Sequence, residues 1–362
     1  MAISKEQIQS TVGAIVDVNT EKELSVTKSI KGVAVDAGKV SVKIVLGYPA
    51  SGYFDELKQL ITDAVSALDG VDSVVVDVSS KIVSHAVQQN LKPHEGIKNI
   101  IAVASGKGGV GKSTTAVNLA LALKAEGATV GILDADIYGP SMPRMLGCSG
   151  QPESVDGKSL EPMVGHGVQS MSIGYLVEED TPMIWRGPMV TQALEQLLND
   201  TNWKDVDYLI VDLPPGTGDT QLTLAQKIPV SGAVIVTTPQ DIALLDARKG
   251  LKMFEKVEVP VLGVVENMSI HICSKCGHAE HIFGEGGGAR MSEEYGVDFL
   301  GALPLDITIR ENADGGHPSV AAAPDSKVSE IYRQIARKTA AALATKARDH
   351  SAAFPSIVIQ NN

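Results

Sequence analysis

The chain has 362 residues, of which 44% are hydrophobic and 4% aromatic, with 35 glycines. That length supports two domains, and the aliphatic, glycine-rich composition points to a layered α/β protein rather than an all-β sandwich. A formal net charge of −12 argues against nucleic acid, or an anionic membrane surface, as the main partner.

Residues 1–10 are polar, so no secretory signal is expected. No apolar run approaches the roughly 18 residues of a membrane span. Three cysteines, two of them in one C-x-x-C, do not make a disulfide framework and suit a reducing cytoplasm.

Ile8, Val12, Ile15 and Val16 recur at helical spacing and predict a helix over 3–18, with Ser4 as its N-cap. Residues 29–36 and 39–46 alternate as strands do, and Asp36-Ala37-Gly38 between them suggests a hairpin. Leu57, Leu60, Ile61, Val65 and Leu68 share one face of a helix expected over 53–68, and a strand follows over 71–78. Residues 1–80 thus read as a small α+β unit with neither cysteine nor phosphate loop. The unit resembles the small domain that stands alone in some iron–sulfur assembly proteins and is fused to certain P-loop ATPases. A plain docking domain would read the same way. Residues 81–97 lose the periodicity, and Pro93 and Gly96 punctuate a linker.

Residues 98–115 are the centre of the remaining chain. The apolar run 100–104 predicts a buried strand, and 114–125 an apolar-periodic helix. Between them Gly106, Gly111, Lys112 and Ser113 match G-x-x-x-x-G-K-[ST]. Gly106, Gly108, Gly109 and Gly111 let the backbone wrap a phosphate closely. The N–H groups of 106–114, through Val110 and Thr114, would face the anion at the positive end of the helix. Lys112 is expected on the β- and γ-phosphates of ATP, and the Ser113 hydroxyl on Mg²⁺.

Lys107 is not needed by an ordinary phosphate loop. The string GKGGVGKST resembles the deviant Walker A of the family that includes the nitrogenase iron protein and the division-site and chromosome-partitioning ATPases. There the first lysine reaches the partner's nucleotide. The resemblance implies an ATP-sandwich homodimer with Lys107 acting across it.

A strand over 129–133 leads into Asp134 and Asp136. The stretch DADIYGPSMP resembles switch I of the Mrp-type branch, which implies that Asp136 orients the attacking water. Asp134 is expected on the Mg²⁺ side or as a structural partner. Residues 150–190 read as loop-rich. Met183-Ile184-Trp185-Arg186-Gly187-Pro188 also resembles the Mrp pattern and precedes a helix over 190–198; Arg186 receives no role, and Trp185 is expected in the core. Residues 208–212 form a buried strand ending in Asp212, the Walker B pattern that holds Mg²⁺. Leu213-Pro214-Pro215-Gly216-Thr217-Gly218-Asp219 follows as a switch loop. Strands over 233–237 and 261–265 are expected to complete the sheet. In related ATPases an Asn at the end of the last strand bonds adenine, which implies that role for Asn267; a simple turn residue is the alternative. Pro304-Leu305-Asp306 falls where the family's second adenine loop lies.

Cys273 and Cys276 are spaced so that both sulfurs can face one metal. Spacing leaves three readings: a loop or redox dithiol, a zinc site completed by His271, His278 or His281, or a 4Fe–4S cluster shared by two chains. Spacing alone slightly favours zinc. ENMS before the C-x-x-C, then IFGEGGG and LGALPLD, resemble the Mrp/ApbC family of iron–sulfur cluster carriers over about 98–320. That resemblance implies a cluster held by Cys273 and Cys276 of two subunits and passed to apoproteins. Histidines around the cysteines depart from the pattern and keep zinc open. Cys148 reads as a small hydrophobe. Val328, Ile331, Ile335 and Leu343 predict a helix over 326–349, packed on the domain rather than on a membrane.

The expected architecture is a mostly parallel P-loop NTPase sheet flanked by helices over 98–350, the small N-terminal unit before it and a tail at 351–362. The rival functions are a spatial-positioning ATPase and a zinc-stapled nucleotide-binding module.

Overall fold

A computed structural model describes residues 3–89, 91–177, 187–273 and 275–348. Helix α1 (Lys5–Gly13) opens on a reciprocal cap: the Ser4 hydroxyl accepts from Gln7 N–H and the Gln7 side chain accepts from Ser4 N–H. The helix stops at Gly13 rather than near residue 18. Val16–Asp17 (β1) instead pairs with Lys22–Glu23 (β2). Asp17 forces this turn, because its buried carboxylate accepts from Asn19 N–H, the Thr20 hydroxyl and the Tyr48 hydroxyl. Ile30–Asp36 (β3) and Lys39–Leu46 (β4) form the expected hairpin. Ala37 and Gly38 both take positive φ, 44° and 81°, as a tight two-residue turn demands. Phe54–Ser66 (α2) crosses over, and Ser73–Ser80 (β5) returns parallel to β4.

The larger unit runs β6 (Ile97–Ala104), α3 (Lys112–Ala125), β7 (Val130–Asp134), α4 (Met142–Met145), β8 (Met163–Gly165), β9 (Val168–Ser172) and α5 (Gly187–Asn199). It continues with β10 (Val206–Asp212), α6 (Asp219–Lys227), β11 (Gly232–Thr237), α7 (Asp241–Lys256) and β12 (Val261–Glu266). A small ribbon, β13 (His271–Ile272) with β14 (Ala279–Glu280), precedes α8 (Gly287–Tyr295), β15 (Phe299–Ala302), α9 (Ile307–Asp314), α10 (Ser319–Ala322) and α11 (Lys327–Ala344). Eight strands form one sheet in the order β15-β12-β11-β6-β10-β7-β9-β8. All neighbours are parallel except β8 with β9. The central strands β6, β7, β10 and β11 are apolar almost without interruption because helices cover both faces.

The sheet is wider than the five strands expected. β15 extends one edge, and β9 with β8 extends the other inside 150–190, a stretch that reads as loop. Pairing to β7 makes Val168–Ser172 a strand; its own residues, with Gln169, Ser170 and Ser172, carry little strand signal.

The connector after β5 is packed, not free. His85 is buried and bonds Asn99 through both its backbone N–H and its ring. The Gln88 amide donates to the Ala225 and Ile228 carbonyls and accepts from Val230 N–H. Helix α11 buries Tyr332, Ile335, Ala336 and Leu343, so its apolar face is occupied by the domain. Glu126, just past α3, joins both units: it accepts from Arg337 on α11 at 2.7 Å and from Gly52 N–H of the N-terminal unit at 2.8 Å.

Candidate functional site

The phosphate loop lies at the C-terminal end of β6, in the middle of the sheet, where parallel α/β folds place their ligands. Its glycines are dictated by close neighbours. A Cβ on Gly106 would lie 2.1 Å from the Asp246 backbone carbon of α7, and one on Gly111 would lie 2.2 Å from Asn267 Nδ2. Gly109 and Gly111 both have φ of 82°. Val110 is buried and roots the loop, whereas Lys107, Gly108 and Gly109 are exposed. Gly111 begins α3, and the Thr115 hydroxyl bonds back to its carbonyl. Ser113 and Thr114 sit half-buried in the first turn.

Lys112 is 5% exposed and faces two carboxylates and a hydroxyl. Its Nζ lies 2.6 Å from Asp212 Oδ1, 3.9 Å from Asp136 Oδ2 and 3.2 Å from Ser113 Oγ. Asp212 and Asp134 are directly opposed at the ends of β10 and β7. Burial, then the neighbouring Asp212 charge, push the Asp134 carboxyl up to about 7. Burial also raises Asp136, with Lys112 opposing. One ammonium among three carboxylates leaves the site short of positive charge. Among the described residues Asp212 Oδ2 is buried with no hydrogen-bond partner, while Lys112 Nζ, which holds Oδ1, also reaches the Ser113 hydroxyl and Asp136. A hard divalent cation fits this oxygen set.

Asp134 is committed to the fold. Its Oδ2 accepts from Ser141 N–H, Met142 N–H and the Ser172 hydroxyl, and its Oδ1 from Asp136 N–H at 3.3 Å. These bonds let Asp134 fix the loop that carries Asp136. Asn267 braces the phosphate loop and its own turn: its Nδ2 donates to the Val110 carbonyl at 2.9 Å and its Oδ1 accepts from Met268 N–H. Asp306, in the second expected adenine loop, caps α9 through Thr308.

The switch loop after Asp212 touches the phosphate loop through Gly216 N–H to the Ser105 carbonyl. Gly216 has φ of 105°, and neither Gly216 nor Gly218 would meet an atom within 4 Å with an added Cβ. The exposed Lys107 makes no ion pair among the described residues; its carbonyl accepts from the Ser105 hydroxyl.

Cys273 and Cys276 occupy the tip of the β13–β14 ribbon, Cys276 exposed and Cys273 partly so. Cys273 N–H donates to the His278 carbonyl and Gly277 N–H to the Cys273 carbonyl, closing the turn. Backbone N–H groups of Lys275 and Cys276 aimed at Cys273 hold its thiol below the usual range. His281 Nδ1 lies 2.9 Å from the Ser269 carbonyl and His271 Nδ1 lies 3.1 Å from the Leu305 carbonyl. Among the described residues no three His, Cys, Asp or Glu side chains converge as a metal site would require. Cys148 is partly buried, and burial pushes its thiol up.

The family model described as "NUBPL iron-transfer P-loop NTPase" matches residues 96–340. The chain belongs to this family. In this NUBPL-type chain a second model, "Iron-sulfur cluster assembly protein", matches residues 5–78. The iron–sulfur cluster carrier protein of Escherichia coli K12 is 54% identical over 321 residues, 88% of this chain and 87% of that one. A nucleotide-binding protein from Archaeoglobus fulgidus, solved in complex with ADP, is 38% identical with a TM-score of 0.55, covering 61% of this chain and 88% of that one. The cell division ATPase MinD of Pyrococcus furiosus, at 22% identity and a TM-score of 0.52 over 66% of this chain and 97% of that one, shares the fold. The family and fold make this chain a P-loop ATPase.

Two features of the NUBPL-type site escape sequence reading. Ser172 completes the shell of Asp134 from 38 residues away, and Asp246 walls Gly106 from α7. Neither carries a local signal. Trp185 and Arg186 lie outside the described residues.

Proposed function

We propose that the chain is an ATP-hydrolysing carrier that holds a 4Fe–4S cluster between two copies of itself and passes it to recipient apoproteins. The cluster is cargo, and the two thiols per chain supply half of the four that such a cluster takes. The observation that carries this reading is the cysteine pair at a ribbon tip, Cys276 exposed and Cys273 partly so, with the Cys273 thiol held low by backbone N–H groups and, among the described residues, no third ligand beside it. A second chain meeting that tip completes the set. The family match and the 54% identical carrier support the cargo.

At the phosphate loop, Lys112 exchanges Asp212 for the β- and γ-phosphates of ATP when nucleotide binds. Ser113 and the freed Asp212 would hold Mg²⁺, which would supply charge neutralisation on the phosphates. Asp136 orients the attacking water, and Asp134 keeps Asp136 in place. Lys107, exposed at the loop mouth, reaches the nucleotide of the second copy. Asn267 couples the two ends of the chain's chemistry. It grips Val110 in the phosphate loop, and two residues later the Ser269 carbonyl holds His281 of the cysteine ribbon. A shift of the loop thereby reaches the thiols, which gives nucleotide state and cluster affinity a shared element. We place this activity in a reducing cytoplasm, away from nucleic acid and membranes: the acidic charge disfavours both surfaces, and no described helix is long and apolar enough to cross a membrane.

Transfer to an apoprotein tests the reading. Cys276→Ser is expected to abolish transfer and leave most ATP turnover, because the phosphate loop is a separate element. Full transfer by that variant would defeat the proposal.

A further inference from the structure

A cavity of about 490 Å³ opens where the N-terminal unit meets the end of α11. Lys22, Lys28, Lys31, Lys81 and Arg348 line it, against a single carboxylate, Asp17. Five cations in one cavity run against a chain of net charge −12. Asp17 cannot offset them fully: it is 1% exposed and already accepts from Tyr48, Thr20 and Asn19. Among the described residues none of the five pairs with a carboxylate within 4.0 Å.

The convergence is tertiary rather than a run of basic sequence. Lys22 comes from β2, Lys28 from the following turn, Lys31 from β3, Lys81 from just beyond β5, and Arg348 from beyond α11. Lys28 is held at a φ of +54°, a conformation uncommon outside glycine, and its carbonyl accepts from Lys31 Nζ at 2.8 Å. Leu46 and Val83 supply apolar wall between the charges. Like charges gathered this way repel, and an anion among them would remove the repulsion. The volume is that of a small-molecule site rather than a macromolecular groove.

We propose that this cavity binds a small polyanion, a molecule with two or more carboxylate or phosphate groups, and that the bound anion ties the N-terminal unit to the end of α11. This is independent of the cluster reading, because it involves neither the phosphate loop nor the cysteines.

The test is calorimetric titration of the full chain at constant ionic strength, with citrate and pyrophosphate as probes. Lys112→Ala protein is titrated alongside, because pyrophosphate also suits a phosphate loop. One saturable site per chain is expected for citrate, and it should persist in Lys112→Ala. The double variant Lys31→Gln/Lys81→Gln should weaken citrate about tenfold or more, the loss expected of two charge-assisted contacts. Arg348→Gln alone should also weaken it, since that contact comes from the other unit. Citrate should raise the melting temperature of wild type more than that of the double variant at equal concentration, while ATP turnover without probe stays unchanged in both. The glutamines replace exposed side chains, so unaltered melting without probe verifies the fold. The proposal is overturned by an absence of saturable heat, by equal affinity in wild type and variants, or by binding of an oligoglutamate peptide where citrate fails.

Discussion

Among the described residues Lys112 is the only cation within 4.0 Å of the buried acidic cluster, and its removal has two consequences. ATP turnover should fall to background in Lys112→Ala, because Lys107 is directed at the second copy's nucleotide and cannot replace the Lys112 charge on the chain's own β- and γ-phosphates. Stability should fall as well, by about 3–5 kcal/mol at pH 8, the cost of leaving one member of a buried ion pair alone. Asp134 sets the pH dependence. Its carboxyl is raised from 3.8 to about 7, so its favourable contribution is full below pH 3.8 and is lost as pH rises through 7. Without Lys112 the Asp136 carboxyl, raised by burial against the Lys112 charge, is pushed up further. The deficit of the variant should therefore shrink from pH 8 to pH 6, as urea unfolding at the two values would show. A deficit that grew toward pH 6 would refute the charge account. Cys273 shifts the opposite way. Its thiolate is stabilised by backbone N–H groups, so in Cys148→Ser/Cys276→Ser apoprotein iodoacetamide should modify it with a midpoint below the ~8.5 of a free thiol. A midpoint at or above that value would remove the stabilisation.

Elements carry the coupling. The stretch from Asn267 to His281 connects the phosphate loop to the cysteine tip, and its first contact is a single side-chain hydrogen bond. Asn267→Ala should leave ATP binding within a few-fold of wild type yet abolish the nucleotide dependence of cluster release. It should also speed amide exchange over 271–281. Unchanged coupling with unchanged exchange would rule out this route. Much of this element level is legible in sequence. The run 100–104, the glycines at 106 and 111, and Asp212 at a strand end each announce themselves, because a buried strand and a phosphate loop impose local residue types. The edge strands β8, β9 and β15 do not, being three to five residues long and held by pairing. The partners of Asp134 and Asn267 are also hidden: Ser172 and Val110 lie far away in the chain.

At the scale of the whole molecule, the N-terminal unit is docked on the far end of the phosphate-loop helix. Glu126 receives Arg337 and Gly52 at once, so α3 touches the phosphate loop at its start and the small unit just past its end. One hydrophobic cluster spans both units, from Ile8 and Leu57 through Leu119 to Leu343. The ribbon that carries Cys273 and Cys276 is instead exposed at its tip, which leaves it available to a second copy. The most direct measurement is anaerobic reconstitution with iron and sulfide, followed by metal analysis of the species sized by analytical ultracentrifugation. A brown dimer with about four irons and no tightly held zinc is expected, because two thiols from each chain complete one cluster. A colourless protein holding one tight zinc per chain would contradict the account.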